Sequence, residues 1–174
     1  MTAPGTVVSS RIARAWDVLH GVLDPEVPAI SVTELGIVRD VVEHDDGFEV
    51  IVTPTYSGCP ATEVIEQAIA DALAAAGLGP ARVTQRRAPA WTTDWITPEG
   101  REKLRAYGIA PPGSCASQAS ASNVQPIRLV ARDVACPRCG SAQTERLSAF
   151  GSTACKSLYR CIACREPFEH FKPI

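Results

Sequence analysis

Four cysteines in the last third of the chain have the spacing of a metal site. They form two pairs, Cys136-Pro-Arg-Cys139 and Cys161-Ile-Ala-Cys164. Because a two-residue spacer lets one tight turn direct two thiolates at a single ion, two such turns complete a tetrahedron. The spacing between the pairs is that of a zinc ribbon, so we predict a structural zinc ion bound by all four. The same thiolates could instead hold an iron–sulfur cluster, or remain as free thiols or disulfides.

A fifth cysteine, Cys59, stands apart from the others in "TPTYSGCPATEVIEQAI", residues 53–69. Proline favours the first position of a helix, so Cys59 before Pro60 is expected at or beside the N-cap. Unpaired backbone N–H groups and the helix dipole favour the thiolate form there. We interpret Cys59 as a thiol that reacts or binds metal; the alternative is a packing residue.

The remaining candidates for chemistry are weaker. The histidines are scattered and expected on the surface, which argues against a Cys-His hydrolase; they are His20, His44 and His170. Cys155 has two interpretations, a buried thiol between strands or a fifth thiolate near the two cysteine pairs. The sequence has no Glu-x-x-His di-iron motif, nucleotide-binding loop or flavin fingerprint, so oxygenase chemistry has no place in it.

The elements that must position these residues follow from periodicity. Apolar residues recur every three or four positions in 12–23 and 64–73, which predicts two amphipathic helices. Between them, two β-rich runs flank His-Asp-Asp-Gly at 44–47 and predict a hairpin. Residues 81–91 predict a third strand. Thr97-Pro98 predicts the cap and first turn of a short helix.

Composition predicts where the chain divides. Residues 111–126 are rich in Pro, Gly, Ser and Ala without apolar periodicity, which predicts a flexible linker between an α/β domain, 1–110, and a zinc ribbon, 127–174. Residues 1–126 carry nine Lys/Arg and fifteen Asp/Glu, whereas 127–174 carry eight and four. The two parts therefore differ in charge sign, which suggests different partners or mutual attraction.

Location follows from the cysteine count and the hydropathy. The 174 residues contain no apolar run of the roughly 18 that a membrane span needs. The N-terminus lacks the apolar core of a signal peptide, which predicts a cytoplasmic protein. An odd number of cysteines, seven, with two Cys-x-x-Cys pairs also favours a reducing compartment and metal binding over a disulfide framework.

Three motifs in order carry a family resemblance. "DPEVPAISVTELGIVRDV", a hairpin and "TPTYSGCPATEVIEQAI" are similar to small iron–sulfur assembly factors, and the tail from "CPRCG" to "CREPFEHFKPI" completes the pattern. Together they resemble the PaaD-like family associated with bacterial phenylacetyl-CoA epoxidase. The resemblance implies an α/β fold: a small mixed sheet with helices on one face, followed by the ribbon.

The resemblance also implies a function. PaaD-like proteins are expected to be non-catalytic factors that help insert iron or iron–sulfur clusters into the reductase or oxygenase subunit of the epoxidase. The family's cysteine corresponds to Cys59 and its acidic loop to Asp24 and Glu26. These carboxylates either orient a cation or serve the loop, with Asp24 capping a turn and Glu26 in solvent.

A single thiolate cannot hold a cluster, which needs about four ligands, so Cys59 is expected to share one across a homodimer or with a client. The rival interpretations are a zinc-ribbon scaffold and a nucleic-acid-binding ribbon. Four thiolates on Zn²⁺ leave the basic tail only weakly positive, which makes nucleic acid the poorer expectation.

Overall fold

The computed structural model describes residues 10–56, 58–113 and 134–174. The chain forms two compact units, the first ending at Trp91 and the second beginning at Thr92. No helix in the described residues is both long and apolar enough to cross a membrane.

The first unit is a mixed sheet with two helices. Helix α1 spans Ser10–Leu19 and α2 spans Ala61–Ala75; strands β1, β2 and β3 span Val38–Glu43, Phe48–Val52 and Ala81–Gln85. The strand order is β1-β2-β3, with β1 antiparallel and β3 parallel to β2. The two helices contact each other, and α1 also packs on β1 and α2 on β3, so both lie on one face of the sheet. The predicted fold class is confirmed.

Most of the core of this unit is what the apolar periodicity predicts, but α1 ends at Leu19 instead of continuing to residue 23, and Leu23 and Val64 are exposed. Leu19 of α1 and Ile69 and Leu73 of α2 are fully buried, as is Val50 of the central strand. The hairpin turn also lies at the predicted residues, where His44 N donates to the Gly47 carbonyl at 2.9 Å. A Cβ at Gly47 would overlap the Pro80 carbonyl oxygen, so only glycine permits this approach of the turn to the residue before β3.

The second unit is built on a four-stranded sheet. A 3₁₀ turn at Thr93–Trp95 precedes α3, Pro98–Tyr107. The four strands are β4 Ile109–Ala110, β5 Thr144–Ser148, β6 Lys156–Cys161 and β7 Pro167–Phe171, in the order β4-β7-β6-β5. Helix α3 begins as predicted, because the Thr97 hydroxyl accepts a hydrogen bond from Gly100 N at 3.0 Å and Pro98 occupies the first turn.

The boundary between the two compact units lies after Trp91, earlier in the chain than the predicted domain boundary after residue 110. Strand β4 pairs in parallel with β7, and Ala110 packs into the ribbon core with Val134, Cys136, Cys161 and Phe168. Residues 92–110 therefore belong to the second compact unit, in which Leu104, Ile109 and Ala110 are buried. Residues 114–126 of the predicted linker lie outside the described residues, so that part of the prediction is not tested.

Candidate metal centre

Two tight turns present the four ribbon cysteines. In the first, Gly140 N donates to the Cys136 carbonyl at 2.9 Å, and Gly140 has a φ of +74°. In the second, Cys161 N donates to the Glu166 carbonyl at 3.0 Å, and Arg165 has a φ of +62°. Both turns thus end with a left-handed residue directly after the second cysteine, which returns the chain to the sheet.

The four sulfur atoms have the geometry of a tetrahedral metal site. The Sγ atoms of Cys136, Cys139, Cys161 and Cys164 all lie within 4.8 Å of one another. The Cys136–Cys164 and Cys139–Cys161 sulfur distances are 3.8 and 3.6 Å. A tetrahedron with metal–sulfur bonds of about 2.3 Å has edges of about 3.8 Å. These two distances match the edges of such a tetrahedron, and all four sulfur atoms are close enough together to bind one zinc-sized ion.

Hydrogen bonds make the thiols unequal in acidity. The backbone N–H of Cys164 donates to Cys161 Sγ at 3.5 Å and is the main cause that lowers the pKa of Cys161 to about 7. The Glu166 N–H acts to lower the pKa of Cys164, but desolvation and hydrogen bonds with the other three sulfurs together outweigh it and raise this pKa to about 12. A metal must displace the Cys164 proton at neutral pH, so binding is coupled to proton release.

Cys155 lies far from this centre. It is buried directly before β6, with its Sγ 3.1 Å from the Thr153 hydroxyl. Cys161 lies six residues further along the extended chain, a distance of about 20 Å. Of the two interpretations of Cys155, the buried thiol is therefore the correct one, and Cys155 cannot be a fifth ligand to the same ion.

Two polar residues of the ribbon, Lys156 and His170, are buried. Lys156 is 2% exposed, and its Nζ lies 3.0 Å from Glu169 Oε2. The expectation that His170 lies on the surface was wrong, because it is 8% exposed. Burial lowers the pKa of His170 to about 4. The burial of His170 could have been predicted from the alternation of side chains along β7, which places His170 on the same side of the strand as Phe168.

Cys59 lies where the sequence placed it, directly before helix α2. Pro60 is the cap residue and has helical dihedrals, with φ −66° and ψ −22°. The Cys59 carbonyl accepts a hydrogen bond from Thr62 N at 3.2 Å, and the residue is half-buried. Cys59 thus lies next to the cap residue of the helix and is partly exposed.

The acidic loop is organised by Asp24. This buried carboxylate accepts hydrogen bonds through Oδ1 from the backbone N–H groups of Glu26, at 2.9 Å, and Val27, at 2.8 Å. Asp24 therefore caps the turn, which is one of the two roles predicted for it. Glu26 is half-buried. Any part that either carboxylate plays toward a cation stays a prediction.

The structure brings the four ribbon cysteines together, but it does not bring Cys59 together with the carboxylates of the acidic loop. Among the described residues, the only compact group of three or more His, Cys, Asp or Glu ligand atoms is that of the four ribbon cysteines. Cys59, Asp24 and Glu26 do not form such a group. A cation held by Cys59 would therefore need ligands from another protein or from a second copy of this chain.

Comparisons with known proteins match both parts of the chain. Residues 12–84 match the family model described as an iron-sulfur cluster assembly protein, and residues 120–172 match the PaaD zinc beta ribbon domain. The chain is 46% identical over 169 residues to a subunit of the putative 1,2-phenylacetyl-CoA epoxidase of Escherichia coli (strain K12), covering 97% of each chain.

A solved structure shares the fold. The crystal structure of a domain of unknown function, DUF59, from Bacillus anthracis matches with a TM-score of 0.51 at 21% identity, covering 55% of this chain and 92% of that one. This likeness agrees with the α/β architecture of the first unit.

Proposed function

The chain belongs to the PaaD-like family of phenylacetyl-CoA epoxidase subunits, and from this premise we propose that it is an accessory factor that matures the metal centres of such an epoxidase. The family resemblance seen in the sequence is thereby confirmed. The observation that carries the proposal is that a relative of an epoxidase subunit over 97% of its length has an iron–sulfur assembly module in residues 12–84. In this role the chain works in the phenylacetate pathway without catalysing epoxidation.

In this proposal the ribbon cysteines hold a structural zinc ion. Sulfur atoms 3.6 and 3.8 Å apart support a tetrahedral Cys₄ site. Zinc would fix two turns that the short strands β5 and β6 cannot fix alone, since so small a core is short of apolar burial. These four thiolates would then be committed to the fold and would take no part in metal transfer.

Cys59 is the proposed transfer residue, with iron or a cluster as its cargo. This residue is partly exposed, and it lies outside the ribbon cysteine group. Transfer would be a ligand exchange without change of oxidation state: the bond from iron to Cys59 Sγ breaks as a bond from iron to a ligand atom of the client forms. A proton lost by the client ligand on binding iron is taken up by the released Cys59 thiolate. The clients are the reductase or oxygenase subunits, in the cytoplasm.

The test is Cys59→Ser in cells that also produce the reductase and oxygenase subunits. Serine keeps the size and polarity of the side chain at the helix mouth, so the fold and the ribbon should be unaffected. We expect the iron or cluster content of the client to fall several-fold. The matched control is Cys115→Ser, which removes a thiol from the predicted linker and should leave client loading unchanged.

Two outcomes would overturn the proposal. One is full client occupancy and activity with the Cys59→Ser protein, which would reduce Cys59 to a packing residue. The other is full occupancy in cells that lack the chain altogether, which would leave the protein as a scaffold of the epoxidase.

A further inference from the structure

Strand β3 leaves one backbone edge open. Two hydrogen bonds fix its register on β2: Phe48 N donates to the Pro80 carbonyl at 3.0 Å, and Arg86 N donates to the Val52 carbonyl at 2.7 Å. In a parallel pair, alternate residues bond to the neighbouring strand. Arg82 and Thr84 therefore direct their backbone groups toward β2, and those of Ala81, Val83 and Gln85 point away from it.

No described strand or loop covers these outward groups. The sheet ends at β3, and no backbone hydrogen bond to Ala81, Val83 or Gln85 from outside the β2–β3 pair occurs within the described residues. A shallow cavity of about 690 Å³ lies along this part of the strand, lined by Glu66, Arg82, Val83, Thr84, Gln85 and Arg87. The edge thus combines backbone groups that have no hydrogen-bond partner among the described residues with room for an extended chain.

The charge along this edge is positive. Arg82, Arg86 and Arg87 are exposed, and Arg87 makes no hydrogen bond or ion pair with any described residue. Arg86 stands near Arg39, and burial together with this repulsion lowers the pKa of Arg39. A side-chain hydrogen bond and the nearby charge of Arg82 both lower the pKa of the Glu49 carboxyl, so the charge of Arg87 and Arg86 is the less compensated part of this edge.

The acidic residues beside the edge are already engaged. Glu49 accepts a hydrogen bond from the Thr84 hydroxyl at 2.7 Å, and Glu66 accepts one from Gln85 Nε2 at 2.7 Å. They hold the strand in place and offset only part of the charge of three arginines. An incoming chain that carries carboxylates would therefore meet complementary charge.

We propose that the outer edge of β3 binds an extended acidic segment of a client subunit, which adds to the sheet as a fourth strand. The identity of the client rests on the proposed function. Main-chain hydrogen bonds to Val83 and its neighbours supply affinity, and the arginines select for Asp and Glu. A second copy of this chain is a poor occupant, because pairing two β3 edges would bring the arginines of both copies together.

Hydrogen exchange tests the strand addition directly, with the purified reductase and oxygenase subunits as probes. In the free protein, the amides of Val83 and Gln85 should exchange quickly and those of Thr84 and Arg86 slowly. Binding of the client should slow exchange at Val83 and Gln85 at least tenfold and leave Thr84 and Arg86 almost unchanged. Binding without protection at Val83 and Gln85 would overturn the proposal.

Variants test the edge independently. Val83→Pro deletes an outward N–H without removing a hydrogen bond to β2, and it should weaken client binding at least tenfold. The double variant Arg82→Glu/Arg87→Glu should also weaken client binding at least tenfold, and it leaves the backbone N–H groups in place. The proposal can therefore be tested even if Val83→Pro does not fold. Lys103→Glu on α3 is the charge control and should bind as the wild type does.

The outcomes separate this inference from the proposed function. If both edge variants bind the client normally while Cys59→Ser still lowers its loading, only the edge proposal is wrong. If the wild-type chain binds neither of the two client proteins, both proposals fall. Equal competition by short duplex DNA at the same arginines would assign the edge to nucleic acid and would also overturn the proposal.

Discussion

His170 is a residue whose environment couples folding of the second unit to pH. Its Nδ1 lies 3.4 Å from the Ser157 hydroxyl, and its ring meets Tyr159 edge-on at a centroid distance of 5.5 Å. Desolvation in this position lowers its pKa to about 4 from 6.5, so the folded protein holds a neutral ring. The unfolded chain takes up that proton near pH 6.5.

We therefore predict that the contribution of the neutral His170 to the free energy of unfolding is fully present above pH 6.5 and is lost as the pH falls toward 4. Between these values the unfolded state binds more protons, and the loss amounts to about 3 kcal/mol for this group. His170→Gln does not titrate and should show a flatter dependence. Urea unfolding of the zinc-loaded wild type and variant at pH 7 and pH 5 measures the difference. Parallel pH profiles would contradict the assignment.

Asp24 gives a second prediction at this scale. Asp24→Ala leaves one buried and one partly buried backbone N–H group without their acceptor and should destabilise the first unit by about 1–3 kcal/mol. Asp24→Asn keeps an acceptor oxygen and should destabilise the first unit by less than half as much as Asp24→Ala does. Thermal unfolding compares the two variants. Lower client loading with Asp24→Asn at unchanged stability would assign the carboxylate charge a part in iron handling.

At the scale of elements, the two cysteine turns differ at one equivalent position. Gly140 takes its left-handed conformation without strain, whereas Arg165 takes it at a cost of about 1–2 kcal/mol. Arg165→Gly should therefore stabilise the ribbon by up to about 1 kcal/mol. Gly140→Ala should destabilise it by a similar amount, although a Cβ there meets no atom within 4 Å. Thermal unfolding of zinc-loaded protein checks both signs, and a destabilised Arg165→Gly variant would contradict the argument.

The elements that sequence predicted well are those whose signals are local. The presence of α1 and α2, the 44–47 turn and the Thr97 cap each depend on residues within a few positions, and each is confirmed. The end of α1 and the exposure of Val64 were not predicted correctly. Strand β4 could not be predicted, because two residues show no periodicity and their pairing depends on β7, distant in sequence. The two-residue spacing within each cysteine pair predicted that the four ribbon cysteines form one site. The buried Lys156–Glu169 pair could not be predicted, because it depends on the register of the strands, which composition does not encode.

At the scale of the whole molecule, the two units should respond differently to metal removal. The core of the second unit includes two of the candidate ligands, Cys136 and Cys161, so a chelator should unfold it. The first unit has its own core and should persist. The tryptophans report this separately: the indole signal of Trp95 should shift, and those of Trp16 and Trp91 should remain. Loss of all three signals, or of none, would be contrary to this expectation.

The pairing of β4 with β7 also sets an order of events during synthesis. Ile109 and Ala110 leave the ribosome some 60 residues before Glu169 and His170, their partners in the sheet. At about 5–20 residues per second, this is a delay of roughly 3–12 seconds. Helix α3 therefore emerges well before the sheet is complete, whereas the first unit already has all its strands. A nascent chain stalled before β7 would leave Leu104 and Ile109, both buried in the folded unit, open to chaperones.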